Sequence, residues 1–139
     1  MTDVEYEIVT EVPAEAVIAL YRAGGWWRDT PEWRDNIAAM VRGSFCFMVA
    51  RTPDGTIAGM GRALSDGVSA AYIQDVVVLS EHRRRGIGAE LVRRLAEHCR
   101  ARGLSWIGLV AEPGTMAFYQ RLGFRPLVGY QPMLYGSSA

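Results

Sequence analysis
The sequence predicts a mixed α/β (α+β) fold in a single domain over residues 1–139, with a central sheet of about six or seven strands and about four helices. Three observations carry that prediction. Short β-branched and apolar runs alternate with stretches whose apolar residues recur every three or four positions, the periods of strand and helix. The Thr52-Pro53-Asp54-Gly55 turn separates two strand-like runs and so predicts a hairpin. Strand, helix and strand then follow one another between Ala71 and Ala111, an order that requires a parallel pairing across the helix.

The elements follow in order. Residues 4–10 alternate as a strand, and Pro13 opens a helix through Tyr21, placed in the first turn where its missing N–H costs nothing. Gly24-Gly25 breaks that helix, and Thr30 as N-cap with Pro31 at the first position starts a second one that runs to about Arg42. Phe45–Arg51 and Thr56–Ala63 form the hairpin. The turn Ser65-Asp66-Gly67 leads into Ala71–Leu79, whose consecutive apolar residues Val76, Val77 and Val78 predict a central strand covered on both faces. Ile87, Leu91, Leu95 and Cys99 recur every four residues, so residues 86–101 form an amphipathic helix ended by Gly103. Leu104–Ala111 reads as a buried strand, Gly114–Leu122 as a short helix stopped by Gly123, and Phe124–Tyr135 as one or two closing strands.

Composition excludes several functions. Fifteen basic residues balance fifteen acidic ones, so no net field draws in nucleic acid or an anionic membrane. All the basic residues are Arg, which rules out a P-loop lysine, a pyridoxal Schiff base and a Lys general base. Cys46 and Cys99 have neither redox-motif nor metal-ligand spacing and read as core, as do their positions in mid-strand and on the helix stripe. His82 and His98 read as surface residues, and no metal site is expected. Without a signal-like start or an apolar run of membrane length, the expectation is a soluble cytoplasmic protein.

The loop Arg83-Arg84-Arg85-Gly86-Ile87-Gly88 carries the chemistry. It opens the 86–101 helix, whose first N–H groups have no partner within the helix and lie at the positive end of its dipole. Gly86 and Gly88 leave those groups uncovered, and three arginines add charge, which suits a pyrophosphate. A dinucleotide fingerprint fails because Leu91 stands where its third glycine belongs.

On these residues the segment Tyr72–Phe124 resembles the core of the GNAT superfamily of N-acetyltransferases. Arg83, Gly86 and Gly88 meet its Arg/Gln-x-x-Gly-x-Gly/Ala motif, and Phe118-Tyr119 with Gly123-Phe124 meet its Phe-Tyr then Gly-Phe signature. Residues 1–71 match only in element order. The resemblance implies acetyl-CoA as co-substrate, splayed central strands that hold it, and a pantetheine arm pairing with the backbone of Val76, Val77 and Val78. It implies Tyr119 as the acid for the departing thiolate, beside Phe118. Where many members have an Asn for the pantetheine, this chain has Glu112, its only Asn being Asn36. Asp75, Glu112 and Asp29 are candidate bases, Asp75 acting with Tyr119 in the catalytic assignment. Tyr21, Trp26 and Trp27, with Trp33 nearby, are candidates for an aromatic amine pocket or for plain packing. The functions that follow are acetylation of a small-molecule primary amine by direct attack, non-catalytic acyl-CoA binding, and peptide or protein N-terminal acetylation. The Pro126–Tyr135 segment further suggests a homodimer, since such a strand pairs across a dimer in many members.

Overall fold
The computed structural model describes residues 3–136. By its contacts the chain divides into two compact units, Met1–Leu109 and Val110–Ala139.

The first unit is built on a five-stranded sheet of β1 (Glu5–Ile8), β2 (Cys46–Arg51), β3 (Ile57–Ser65), β4 (Ala70–Val78) and β5 (Trp106–Gly108), in that spatial order. The first three pairings are antiparallel and β4–β5 is parallel, as the strand-helix-strand order requires. At the predicted hairpin the Asp54 carboxylate accepts from Thr52 Oγ1 and the Thr56 N–H, and these bonds hold its pKa down at about 2.

Helices cover both faces of this sheet. On one side α1 (Ala14–Gly24) and α3 (Ile37–Gly43) bury Val17, Ile18, Leu20, Tyr21, Ile37 and Val41 against Phe47, Val49, Met60 and Val77. On the other lies α4 (Ile87–Ala101), whose stripe Ile87, Leu91, Leu95 and Cys99 is buried as its period predicts. Two glycines of β3 set how close α4 comes. A Cβ on Gly61 would meet Leu95 Cδ1 at 2.8 Å, and one on Gly59 would meet Leu91 Cδ1 at 3.1 Å and the Val77 carbonyl at 3.2 Å. Alternation along β3 explains this, since Met60 between them points to the α1 side.

Four expectations change. The predicted second helix is two, α2 (Pro31–Asp35) and α3, because Asn36 sits at φ −89° and ψ −5°, between helical and bridge geometry. Thr30 caps the first of them through a bond from the Trp33 N–H, as its position predicts. β4 has α1 on one face and α4 on the other as predicted, but it is not the central strand: β3 is, and Val76 and Val78 are half-buried. The run 104–111 shortens to β5, an edge strand on which Trp106 is 54% exposed. No strand forms among the described residues of 124–135; Pro126 and Pro132 lack the N–H a ladder needs, and Gly129 turns at φ 85°. Among its described residues the second unit has one helix, α5 (Met116–Arg121), within the predicted 114–122.

Close seating of α4 gives a stability test. Gly61→Val forces a branched side chain against Leu95 and is expected to cost about 1–3 kcal/mol by overpacking. Urea denaturation measures it, as a lower midpoint with an unchanged slope.

Candidate active site
The site begins where the sheet comes apart. β5 pairs with β4 only from Ala70 to Tyr72, so residues 73–78 of β4 have no β5 partner. On its other side β4 stays bonded to β3, but the register slips between Met60 and Arg62, a bulge that places Asp75 at φ 59°. A non-glycine residue in that region is uncommon inside a strand and persists only where its surroundings fix it.

What fixes Asp75 is a pair of donors. Tyr21 of α1 gives its O–H to Asp75 Oδ2 at 2.6 Å, and Arg62 of β3 gives Nε–H to the same oxygen at 2.8 Å. Met40 Sδ lies 3.0 Å from the Tyr21 oxygen, but a hydroxyl has one proton and the carboxylate is the stronger acceptor. Arg62 also reaches Ser44 Oγ at 3.3 Å. Burial, then the bond to Asp75, pushes the Tyr21 phenol far above its ordinary pKa, so it stays a donor. Oδ1 of Asp75 makes no hydrogen bond among the described residues.

Over this carboxylate lies a cavity of about 330 Å³, lined by Tyr21, Trp26, Trp27, Trp33, Met40 and Asp75 among others. That volume is at the small end of ligand pockets. The predicted aromatic residues converge here: Tyr21 stands edge-on to Trp26 (5.7 Å) and Trp33 (6.1 Å), and Trp27 to Trp33 (6.0 Å). The Trp27 indole N–H is buried with no partner among the described residues. Packing and pocket wall are therefore both true of these rings. Sequence reasoning left out Arg62, although an arginine within the small and apolar run of β3 is the kind of residue that needs a buried partner.

The arginine loop follows directly from β4. After a 3₁₀ turn at Ser80–His82, Arg84 takes φ 64° and Gly86 φ 78° before α4 starts. Gly86 caps α4 without a side-chain bond, and the first helical bond runs from Glu90 N–H to Gly86 C=O. The N–H groups of Ile87, Gly88 and Ala89 thus lack an acceptor in the helix, and open space surrounds the Cβ position of Gly86. This is a fit for a phosphate, made by backbone; the Ile87 side chain itself is core. Arg84 and Arg85 are exposed, Arg85 touching His82 Nδ1 at 2.8 Å. Arg83 does something else: its guanidinium donates to the Val78 carbonyl at 2.9 Å and the Ala23 carbonyl at 3.2 Å, tying the loop to β4 and α1.

In the second unit Tyr119 of α5 packs edge-on against Phe118 (4.9 Å) and Phe124 (5.8 Å). Burial, then the Glu112 carboxylate, raises its phenol above the usual range, so it carries its proton at neutral pH. The Glu112 carbonyl accepts from Thr115 Oγ1 at 2.7 Å.

Asp29 is exposed and does not line the cavity. His98 is not a surface residue as predicted: it is half-buried, edge-on to Phe45, and burial lowers its pKa. His82 is half-buried as well. Both cysteines are core; burial raises Cys46 to about 11 and raises Cys99, which removes a thiolate nucleophile at neutral pH.

The profile of the Acetyltransferase (GNAT) family matches residues 14–124. The chain belongs to that family. It is 39% identical to serotonin N-acetyltransferase 2 (chloroplastic) of Oryza sativa over 75 residues, 54% of this chain and 38% of that one. It is 32% identical to glucosamine 6-phosphate N-acetyltransferase of Trypanosoma brucei over 98 residues, 65% of this chain and 67% of that one. The chain thus spans well under half of the rice relative. A GNAT-family acetyltransferase from Streptococcus pneumoniae has the same fold, with a TM-score of 0.80 at 24% identity over 98% of this chain and 99% of the other. Among the described residues no helix is long and apolar enough to cross a membrane.

The Tyr21–Asp75 bond makes a pH-dependent prediction. Tyr21→Phe should lose about 1.5–3 kcal/mol at neutral pH, the worth of a hydrogen bond to a charged group. The folded pKa of Tyr21 lies above the unfolded value of about 10, so this stability is complete below pH of about 10 and fades above it. Denaturation at stepped pH should therefore show the wild type converging on Tyr21→Phe only in strong alkali. A gap that stays constant there would remove the bond from the account.

Proposed function
We propose that the chain is one N-acetyltransferase domain over residues 1–139, moving the acetyl group of acetyl-CoA to the primary amine of a small molecule by direct attack, in the cytoplasm. One observation carries the reading. The unpaired stretch of β4 runs straight into the uncapped start of α4, with the Asp75 cavity at the same strand.

Each part has a task in this reading. The N–H groups after Gly86, with no side chain at Gly88 and with Arg84 and Arg85 nearby, hold the pyrophosphate, and Arg83 holds their loop. Those backbone groups of the Val76, Val77 and Val78 stretch that face away from β3 pair with the pantetheine as an added strand would, the Val78 carbonyl already being taken by Arg83. Glu112 and Phe118 belong to the cofactor side. Acetyl-CoA supplies an acetyl thioester with a good leaving group. Asp75 Oδ1 takes the proton of the incoming ammonium, and Tyr119 gives its phenolic proton to the departing sulfur. Tyr21, Trp26 and Trp27 enclose the amine's substituent.

Calorimetry tests the loop. Acetyl-CoA should bind the wild type one to one, and Gly88→Val should remove measurable binding because its side chain stands over the phosphate N–H groups. Tyr119→Phe should bind acetyl-CoA as the wild type does while kcat falls about 10–10³-fold. With its pKa raised, Tyr119 is competent through neutral pH, so the alkaline fall in rate should lie above pH of about 10 and vanish in Tyr119→Phe. An unchanged kcat would make Tyr119 a packing residue.

A further inference from the structure
The cavity is more selective than the word amine implies. We infer that its acceptor is a primary amine carrying a flat aromatic body and no anionic group, with the ammonium at Asp75 and the ring among Tyr21, Trp26 and Trp33; this rests on reading the cavity as the acceptor site.

Charge is the first reason. Of the lining residues only Arg62 and Asp75 are charged, and they are paired to each other at 2.8 Å with side chains 12% and 19% exposed. Arg62 spends its Nε on Asp75 and an Nη on Ser44. A phosphate or carboxylate on the substrate would have to compete with Asp75 for Arg62, and would then sit beside that carboxylate. Among the described residues no second basic side chain lines the cavity; Arg28 stacks over Trp33 at 5.5 Å but is not part of the lining. An ammonium has the opposite fit, because Asp75 Oδ1 carries no hydrogen bond and π faces attract a cation.

Shape is the second reason. The walls are indole and phenol rings held edge to face at interplanar angles of 85°, 66° and 87°, so they present both ring faces and ring edges to an occupant. Ile37 and Met40 extend the apolar lining, and polyhydroxyl surface would meet few acceptors there. A volume of about 330 Å³ is enough for a ring with a short aminoalkyl arm. Asn36, Gln74 and the Trp27 indole N–H are neutral polar groups on the wall, so a ring substituent that hydrogen-bonds is tolerated, and a charged one is not.

The test follows thiol release with acetyl-CoA and three acceptors: 2-phenylethylamine, n-butylamine and glucosamine 6-phosphate. We expect kcat/KM for 2-phenylethylamine to exceed that for either other amine by about 10-fold or more, the scale of desolvated π contacts and of a rejected charge. Trp33→Ala should raise its KM by about 10-fold with the KM for acetyl-CoA unchanged, and Trp33→Phe should recover most of the loss. Preference for glucosamine 6-phosphate, or an unselective rate on n-butylamine, overturns the inference while leaving acetyl transfer standing. If acetyl-CoA binds but no amine turns over, calorimetry of 2-phenylethylamine against the acetyl-CoA complex decides: binding lost in Trp33→Ala upholds the pocket, and absence of binding to the wild type overturns it. If acetyl-CoA itself fails to bind, the functional reading fails first, and the same titration on the free protein still tests the pocket.

Discussion
The carboxylate of Asp75 holds together three elements that the chain could otherwise arrange independently. It lies in β4, and its partners come from α1 through Tyr21 and from β3 through Arg62. A charged pair so little exposed earns its place only when its remaining donors are satisfied, and removing one member of such a pair typically costs about 3–5 kcal/mol. Tyr21 supplies that satisfaction while its ring lies in the core with Ile18 and Val17. The same atoms therefore anchor the helix layer, hold the strand in an unfavourable backbone conformation and leave one carboxylate oxygen available. Structure and chemistry share a single group.

The bulge at Asp75 also explains the opening in the sheet. A strand that twists out of register toward β3 no longer presents a straight edge on its other side, and β5 follows it for only Ala70–Tyr72. An unpaired inner edge is normally a liability in a sheet. Here it leads to Arg83, whose guanidinium closes off the Val78 carbonyl, and then to a helix start with no side-chain cap. Arg84 and Gly86, both at positive φ, place the chain between the two. One continuous stretch from Asp75 to Ala89 thus holds unpaired strand backbone followed by unpaired helix N–H groups.

Much of this was legible in the sequence, and the reasons differ by element. The hairpin, the α4 stripe and the Gly86 loop are local features, specified by turn chemistry or by a period that a few neighbouring residues express. The break at Asn36 is not, since the residues around it all accept helix and the kink follows from how Ile37 and Val41 reach the core. Val76–Val78 reads as the central strand because consecutive apolar residues look alike at a sheet's centre and beside a bulge. The apolar run after Phe124 was misread for the same reason: apolar residues mark a strand only when a partner strand exists. At the site, Tyr21, Trp26, Trp27 and Asp75 were named from the sequence, but that Asp75 lies under the aromatic rings is a long-range fact set by β4's register. Arg62 stands out within its apolar run, but which carboxylate it meets is a long-range fact of the same kind.

The two cysteines have a practical consequence. Cys46 is 1% exposed and Cys99 is 0% exposed, each with its pKa raised by burial. Transfer from acetyl-CoA would liberate one thiol per acetyl group moved, in the presence of a protein whose own thiols are shut away. Such a chain would not form mixed disulfides with oxidised coenzyme while folded, since exchange needs an accessible thiolate. A colorimetric thiol reagent added to the native protein would accordingly read turnover against a flat background, and a signal rising with neither acceptor nor acetyl-CoA present would report unfolding.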